Sequence, residues 1–172
     1  MHAAVIDWLR HVRARHRHRW RGPTLELGSF NMNGTARDLF EPGDEYVGVD
    51  AQAGPGVDVV SMAHEAPARD GGWQVVVSTE VFEHDPHWPR TVRRALEVTA
   101  PGGLFVFTCA APGRGEHAGS PVPGYYRNVS RREMEAALGA AASALGRRVA
   151  QQEVRLCPER SVDLQGYVVL EP

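Results

Sequence analysis

Residues 24–50 read TLELGSFNMNGTARDLFEPGDEYVGVD, and the order of elements in this stretch decides the fold. Thr24 to Leu27 is a short strand-like run that stops at Gly28. Thr35 to Phe40, after Gly34, reads as a short helix, and Glu45 to Val49 is a second strand that ends at Asp50. Glycine lets the backbone pass close to a neighbour and adopt conformations closed to other residues. Asn31 and Asn33 in the same loop tolerate left-handed backbone better than most. Strand, glycine loop, helix, strand and terminal acid form the opening unit of a parallel sheet.

Downstream the alternation continues. Val57 to Ser61, Gln74 to Ser78, Leu104 to Cys109, Val149 to Leu156 and Tyr167 to Leu170 read as further strands. The fourth is almost purely valine, as expected where both faces of a parallel strand are covered. The turn Pro101-Gly102-Gly103 introduces the fifth. Pro89 to Thr99 is a helix with Thr91, Val92, Ala95, Leu96 and Val98 on its apolar side. Ser130 with Glu133 three residues on is a capping box; the helix it opens runs through Ala144 to a stop at Gly146. Upstream, Val5, Trp8, Leu9, Val12 and His16 recur at helical spacing, so residues 3–18 predict an amphipathic helix. The expectation is an α/β, doubly wound, Rossmann-like domain at 22–172 behind a basic amphipathic helix at 1–21. In such sheets ligands sit beyond the carboxyl ends of the strands.

Bulk properties narrow the classes. A chain of 172 residues suits one domain and buries roughly 70% of its unfolded surface, so no staple is required. Net charge is -2 with no lysine, so nucleic acid is not the expected partner of the whole chain. Arg10, Arg13, Arg15, Arg17, Arg19 and Arg21 crowd on and beyond the first helix, which reads as a solvated face. Cys109, at the end of a strand, and Cys157, before Pro158 in a loop, fit a reducing compartment better than a disulfide framework. No apolar run approaches the ~20 residues of a membrane span, and no signal peptide is apparent. The expected location is the cytoplasm.

Asp50 stands 22 residues after Gly28, where an acid accepts hydrogen bonds from ribose hydroxyls. A pyrophosphate cradle wants G-x-G-x-x-G. Here Phe30 and Met32 occupy the crowded places, which disfavours a nicotinamide dinucleotide and suits a smaller, sulfonium-bearing ligand.

The stretches LELGSFNMNG, EYVGVD, VDVVSMAHEAP, VVVSTEVFEHD, PGGLFVFT and YYRNVSRREM together resemble a class I S-adenosylmethionine-dependent methyltransferase with a methyltransferase-11-like domain. The resemblance implies a seven-stranded, mostly parallel sheet with an antiparallel last strand and helices on both faces. It implies that Glu26 and Gly28 lie at the methionine and ribose end, with Glu26 holding the amino group through water or loop backbone. It places Asp50 on the ribose hydroxyls, Met62 and Ala63 beside the adenine with His64 next to them, and Ser78, Thr79 and Glu80 toward the methionine portion. The expected cofactor contacts are Glu26, Gly28, Ser29, Asn31, Gly34, Asp50, Ala51, Met62, Ala63, Thr79 and Glu80. Relatives carry further glycines where Phe30 and Met32 stand, and often Asp where Met62 stands, so the loop is expected to follow a variant course.

Methyl transfer from a sulfonium is an in-line displacement that alignment and desolvation largely accelerate. A base is needed for a poorly acidic hydroxyl or a protonated amine. His84, after the fourth strand, is the candidate base, its ordinary pKa of about 6.5 suiting neutral pH; the alternative is that it only hydrogen-bonds loop backbone. His117, in the glycine-rich stretch Pro112 to Gly124, is the second candidate, and Arg114, Glu116, Tyr125, Tyr126 and Arg127 share that stretch or flank it. The stretch reads either as a lid or as a surface loop. Glu80, His84, Asp85, His87 and His117 show no fixed-spacing ligand signature, so no metal is expected. The acceptor is expected to be a small molecule, such as a sugar or other secondary metabolite. Its pocket would be closed by the N-terminal helix, the loop 112–124 or the second subunit of a homodimer. The rival from another class is a non-catalytic module that binds S-adenosylmethionine or uses the fold as a scaffold.

Overall fold

The structure, a computed structural model, describes residues 3–117, 124–157 and 162–172. Seven strands form one sheet: β1 (Thr24–Leu27), β2 (Tyr46–Asp50), β3 (Val59–Val60), β4 (Trp73–Thr79), β5 (Thr99–Ala110), β6 (Val149–Cys157) and β7 (Asp163–Leu170), in the spatial order β3-β2-β1-β4-β5-β7-β6. The β1–β5 pairings are parallel; β7 is antiparallel to both β5 and β6. The order reverses between β1 and β4, so the carboxyl ends of β1, β2, β4 and β5 open on one crevice.

Period-two alternation in the buried strands sorts side chains onto two faces. On one face Val75, Val77, Leu104, Val106, Tyr167 and Val169 meet Val5, Trp8, Leu9 and Val12 of α1 (Ala3–Arg15). On the other, Leu25, Leu27, Val76, Phe105 and Phe107 meet α2 (Trp88–Val98) and α3 (Arg131–Leu145). The valine run of β4 is therefore covered on both sides. The basic residues of α1 fall on its open side, where Arg13 pairs with Glu41 at 3.1 Å. None of the described helices is long and apolar enough to cross a membrane.

The capping box of α3 is present: Ser130 Oγ accepts from the Glu133 N–H at 3.3 Å, and Glu133 Oε2 accepts from the Ser130 N–H at 3.0 Å. Gly146 closes the helix in the left-handed conformation.

Several sequence boundaries move. α1 ends at Arg15 rather than at residue 18, because the chain turns there, with the Arg19 and Trp20 N–H groups both donating to the His16 carbonyl. β3 shrinks to two residues and pairs only with the end of β2. β5 begins five residues early, with a register shift in its pairing to β4 across Pro101-Gly102. β7 also starts earlier, at Asp163. Cys157 is the last residue of β6 rather than a loop residue. The expected helix at 35–40 is a single 3-10 turn, Ala36–Leu39, with Thr35 as its cap.

Candidate functional site

A cavity of about 450 Å³ lies at the crevice, lined by residues from the ends of β1, β2, β4 and β5. That volume falls in the range of small-molecule and cofactor pockets. Every expected cofactor contact except Asn31 lines it, as do both candidate catalytic histidines.

The floor is the glycine loop. Gly28 sits at φ +81°, and a Cβ there would stand 2.1 Å from Val81 Cγ2. No side chain fits between loop and wall, so backbone itself faces the cavity. Glu26 is buried behind the loop. Its carboxylate accepts from the Tyr46 hydroxyl at 2.8 Å and from the Ala36 N–H at 3.4 Å. Burial pushes its pKa up, against the pull of these donors. Asn31 does not line the cavity; its Oδ1 accepts from the Gly34 N–H at 2.8 Å, which stiffens the loop.

The loop is held from outside. The Phe30 ring lies over Gly54, where a Cβ would approach Cε2 to 2.1 Å, and the Asn31 N–H donates to the Pro55 carbonyl at 2.8 Å. Residues 51–56 thus brace the loop. Gly48 completes the bracing, since a Cβ there would strike the Gly56 carbonyl at 2.2 Å.

Asp50 ends β2 with both oxygens oriented by backbone: Oδ2 accepts from Phe30 N–H at 3.1 Å and Oδ1 from Gln52 N–H at 3.0 Å. Each oxygen retains acceptor capacity for a hydroxyl. Ala51 and Gln52 follow on the same wall, and Met62 and Ala63 line it at the start of a 3-10 turn. His64 is not part of the lining; its ring packs edge-on against His87 at 5.0 Å.

The opposite end carries the charged and titratable groups. Thr79 and Glu80 line it, whereas Ser78 is fully buried and does not. Glu80 stands at φ +57°, held by the Thr108 hydroxyl on Oε1 at 3.0 Å and by Arg114 on Oε2 at 2.7 Å. Arg114 also pairs with buried Asp163 of β7, so one guanidinium ties the turn after β4 to the last strand. Asp85 is taken up by the start of α2, accepting from the His87 N–H at 2.7 Å and the Thr91 hydroxyl at 2.5 Å.

Nε2 of His84 lies 3.2 Å from Nε2 of His117. Tyr126 stands 3.2 Å from Nδ1 of His117, and Glu83 Oε1 lies 3.8 Å from its Nε2. Burial first, then the neighbouring His117, brings the His84 pKa down to about 4. This corrects the expectation of an ordinary imidazole value. Burial, reinforced by Glu80, raises Glu83 to about 8. Of the remaining candidates from 112–127, Arg114 and His117 line the cavity, and Arg127 pairs with Glu133 on α3. Residues 118–123 of the expected lid lie outside the described residues. Gln52 and Val81 line the cavity without any signal in their own spacing; the signal for Val81 was Gly28, which needs a close neighbour.

Fold and cavity define a doubly wound domain with a cofactor-sized cavity at its switch point. A family model described as a methyltransferase domain matches residues 7–141, and the chain belongs to that family. No curated protein matches the chain in sequence. Among solved structures it is similar to Burkholderia thailandensis 1,6-didemethyltoxoflavin-N1-methyltransferase with bound 1,6-didemethyltoxoflavin and S-adenosylhomocysteine. That match has 18% identity and a TM-score of 0.65 over 96% of this chain and 79% of that one. It is similar to magnesium protoporphyrin IX methyltransferase of Synechocystis PCC 6803 with bound S-adenosylmethionine, at 12% identity and a TM-score of 0.59 over 96% and 76% of the two chains. It also resembles the [4+2]-cyclase SpnF, at 18% identity and a TM-score of 0.58 over 85% of this chain and 59% of that one. These likenesses concern the fold.

Proposed function

We propose that this protein transfers a methyl group from S-adenosylmethionine to a hydroxyl or amine of a small-molecule acceptor, such as a sugar or other secondary metabolite, in the cytoplasm. The observation that carries the reading is that the cofactor wall, from Gly28 and Asp50 to Thr79 and Glu80, and the His84–His117 pair line one continuous cavity. The residues fit the cofactor: the loop at Gly28 leaves only backbone at its closest approach, and Asp50 presents two anchored oxygens. The cofactor supplies an electrophilic methyl on a sulfonium that leaves as a neutral thioether.

Asp50 takes the ribose hydroxyls, Met62 and Ala63 flank the adenine, and Glu26 orders the loop beside the methionine end through Tyr46 and Ala36. Ser29, Gly34, Ala51, Thr79 and Glu80 complete the contacts. His84 and His117 act on the acceptor: an imidazole within hydrogen-bond reach of its nucleophile positions it and removes its proton. A small acceptor is favoured over nucleic acid because arginines on the first helix and in the turn after it are engaged within the chain, Arg13 with Glu41 and Arg19 with the Gly102 carbonyl at 2.6 Å. The two cysteines, neither in a disulfide, support the cytoplasmic location.

The test is release of S-adenosylhomocysteine on incubation with S-adenosylmethionine and a panel of hydroxyl and amine compounds, followed by mass detection of the methylated product. S-adenosylhomocysteine stabilises the protein thermally and NAD does not, since only a ligand of the native state raises stability. Cofactor binding with no turnover on any acceptor favours the non-catalytic module instead.

A further inference from the structure

We propose that Glu83, His84 and His117 bind a divalent transition-metal ion at the acceptor end of the cavity, zinc(II) or cobalt(II) rather than magnesium. The role of the ion rests on the methyl-transfer reading, whereas the site itself rests on geometry. Glu83 and His84 follow β4, and His117 follows β5. One ligand atom from each lies within 4.8 Å of the other two. The two Nε2 atoms are 3.2 Å apart, and His117 Nε2 is 3.8 Å from Glu83 Oε1. A shared cation with bonds of about 2.0–2.2 Å in tetrahedral geometry sets its ligand atoms roughly 3.5 Å apart. The histidine pair already stands near that spacing, so the carboxylate closes the set with a small inward shift.

Two independent features aim these atoms at a common point. The Tyr126 hydroxyl donates to the Gly115 carbonyl at 3.2 Å, which commits its only proton. Nδ1 of His117 lies 3.2 Å from that hydroxyl oxygen and 3.4 Å from the same carbonyl. The tautomer with the proton on Nδ1 serves both acceptors and leaves the lone pair on Nε2. A metal-ligating imidazole is held in this manner, its other N–H on a carbonyl or similar acceptor. The second feature is Glu83, which is fully buried. Its Oε1 accepts from the Ala110 N–H at 3.1 Å, while Oε2 has no hydrogen-bond partner among the described residues. A buried polar oxygen without a hydrogen-bond partner is costly, and a cation held by the neighbouring imidazoles, displacing the carboxyl proton, removes that cost. Two nitrogens and one carboxylate suit zinc and its neighbours better than magnesium, which favours oxygen ligands.

His84 and His117 line the cavity with Glu83 behind them, so the remaining coordination position of the ion opens on the acceptor space. This selects an acceptor with an ionisable hydroxyl. Bound to the cation, the hydroxyl loses its proton to water at neutral pH. The resulting oxygen forms its bond to the methyl carbon as the carbon–sulfur bond breaks, its electron pair passing to sulfur. Proton removal then needs no imidazole base, because the lone pairs of both imidazoles are on the metal.

The test uses the full chain without a polyhistidine tag, stripped with a chelator and dialysed. Zinc(II) is titrated by calorimetry and cobalt(II) by visible absorption. One saturable equivalent is expected, with the intense cobalt bands of four or five coordination. His117→Ala and Glu83→Gln each weaken binding at least tenfold, whereas His11→Gln and His18→Gln leave it unchanged. Half-buried His117 is the deciding position, and retained binding of S-adenosylhomocysteine by His117→Ala shows that variant to be folded. Absence of stoichiometric binding, or binding that His117→Ala leaves intact, overturns the proposal. Full-rate methyl transfer by the stripped protein overturns it too and leaves the methyl-transfer reading standing. Stoichiometric, His117-dependent metal binding without transfer to any hydroxyl or amine supports the site and refutes that reading.

Discussion

Gly28→Ala tests how the glycine loop meets the wall of the cavity. The backbone at φ +81° lies in the left-handed region, where a non-glycine residue costs about 1–2 kcal/mol. The new Cβ would also stand 2.1 Å from Val81 Cγ2, so Val81 must rotate or the loop must lift, an overpacking cost of typically about 1–3 kcal/mol. The variant is therefore destabilised by about 2–5 kcal/mol, a large part of the roughly 5–15 kcal/mol that keeps such a domain folded. Val81→Ala relieves the second cost and not the first. The double variant should thus be more stable than the two single effects add up to, by about 1–3 kcal/mol. The assay is urea unfolding followed by tryptophan fluorescence, reading the midpoint at unchanged slope. S-adenosylhomocysteine affinity is measured in parallel, since both residues line the cavity. A wild-type midpoint for Gly28→Ala, or strictly additive effects in the double variant, refutes the close approach of loop and wall.

Two further outcomes follow from the same geometry. Asp50→Ala weakens S-adenosylhomocysteine binding by about 1.5–3 kcal/mol, the scale of a hydrogen bond to a charged group; unchanged affinity by calorimetry removes Asp50 from the site. Tyr46→Phe takes from Glu26 the hydroxyl that donates at 2.8 Å, and its cost depends on pH. Because burial raises the Glu26 pKa in the folded state, the stability contributed by that carboxyl is complete below the ordinary carboxylate range and is lost as pH rises through the folded value. Without Tyr46 the loss extends to higher pH, so the variant should sit near wild type in acid and fall furthest behind at neutral pH. A deficit that does not change between acid and neutral denaturant melts assigns the Tyr46 hydroxyl a partner other than Glu26.

The sequence by itself determined the layered fold and most of the residues that line the cavity, because those signals are local. Gly28 and Asp50 mark the ends of strands that need only their own chemistry to be read. Ser130, Glu133 and Gly146 delimit a helix through bonds within one turn at either end. The valines of β4 announce a strand covered on both faces whatever covers it. The tertiary structure decided wherever a residue's role depends on a distant partner. β7 begins at Asp163, a polar residue that is buried only because Arg114 reaches it from the segment after β5. Asn31 reads like a ligand contact and instead closes a turn on Gly34, while Phe30 finds its space at Gly54, outside the loop. Glu83, His84 and His117 carry no spacing signature, and only the return of the chain after β5 brings them together. A buried charge or a shared ligand point is licensed by groups far along the chain, and no local pattern encodes that meeting.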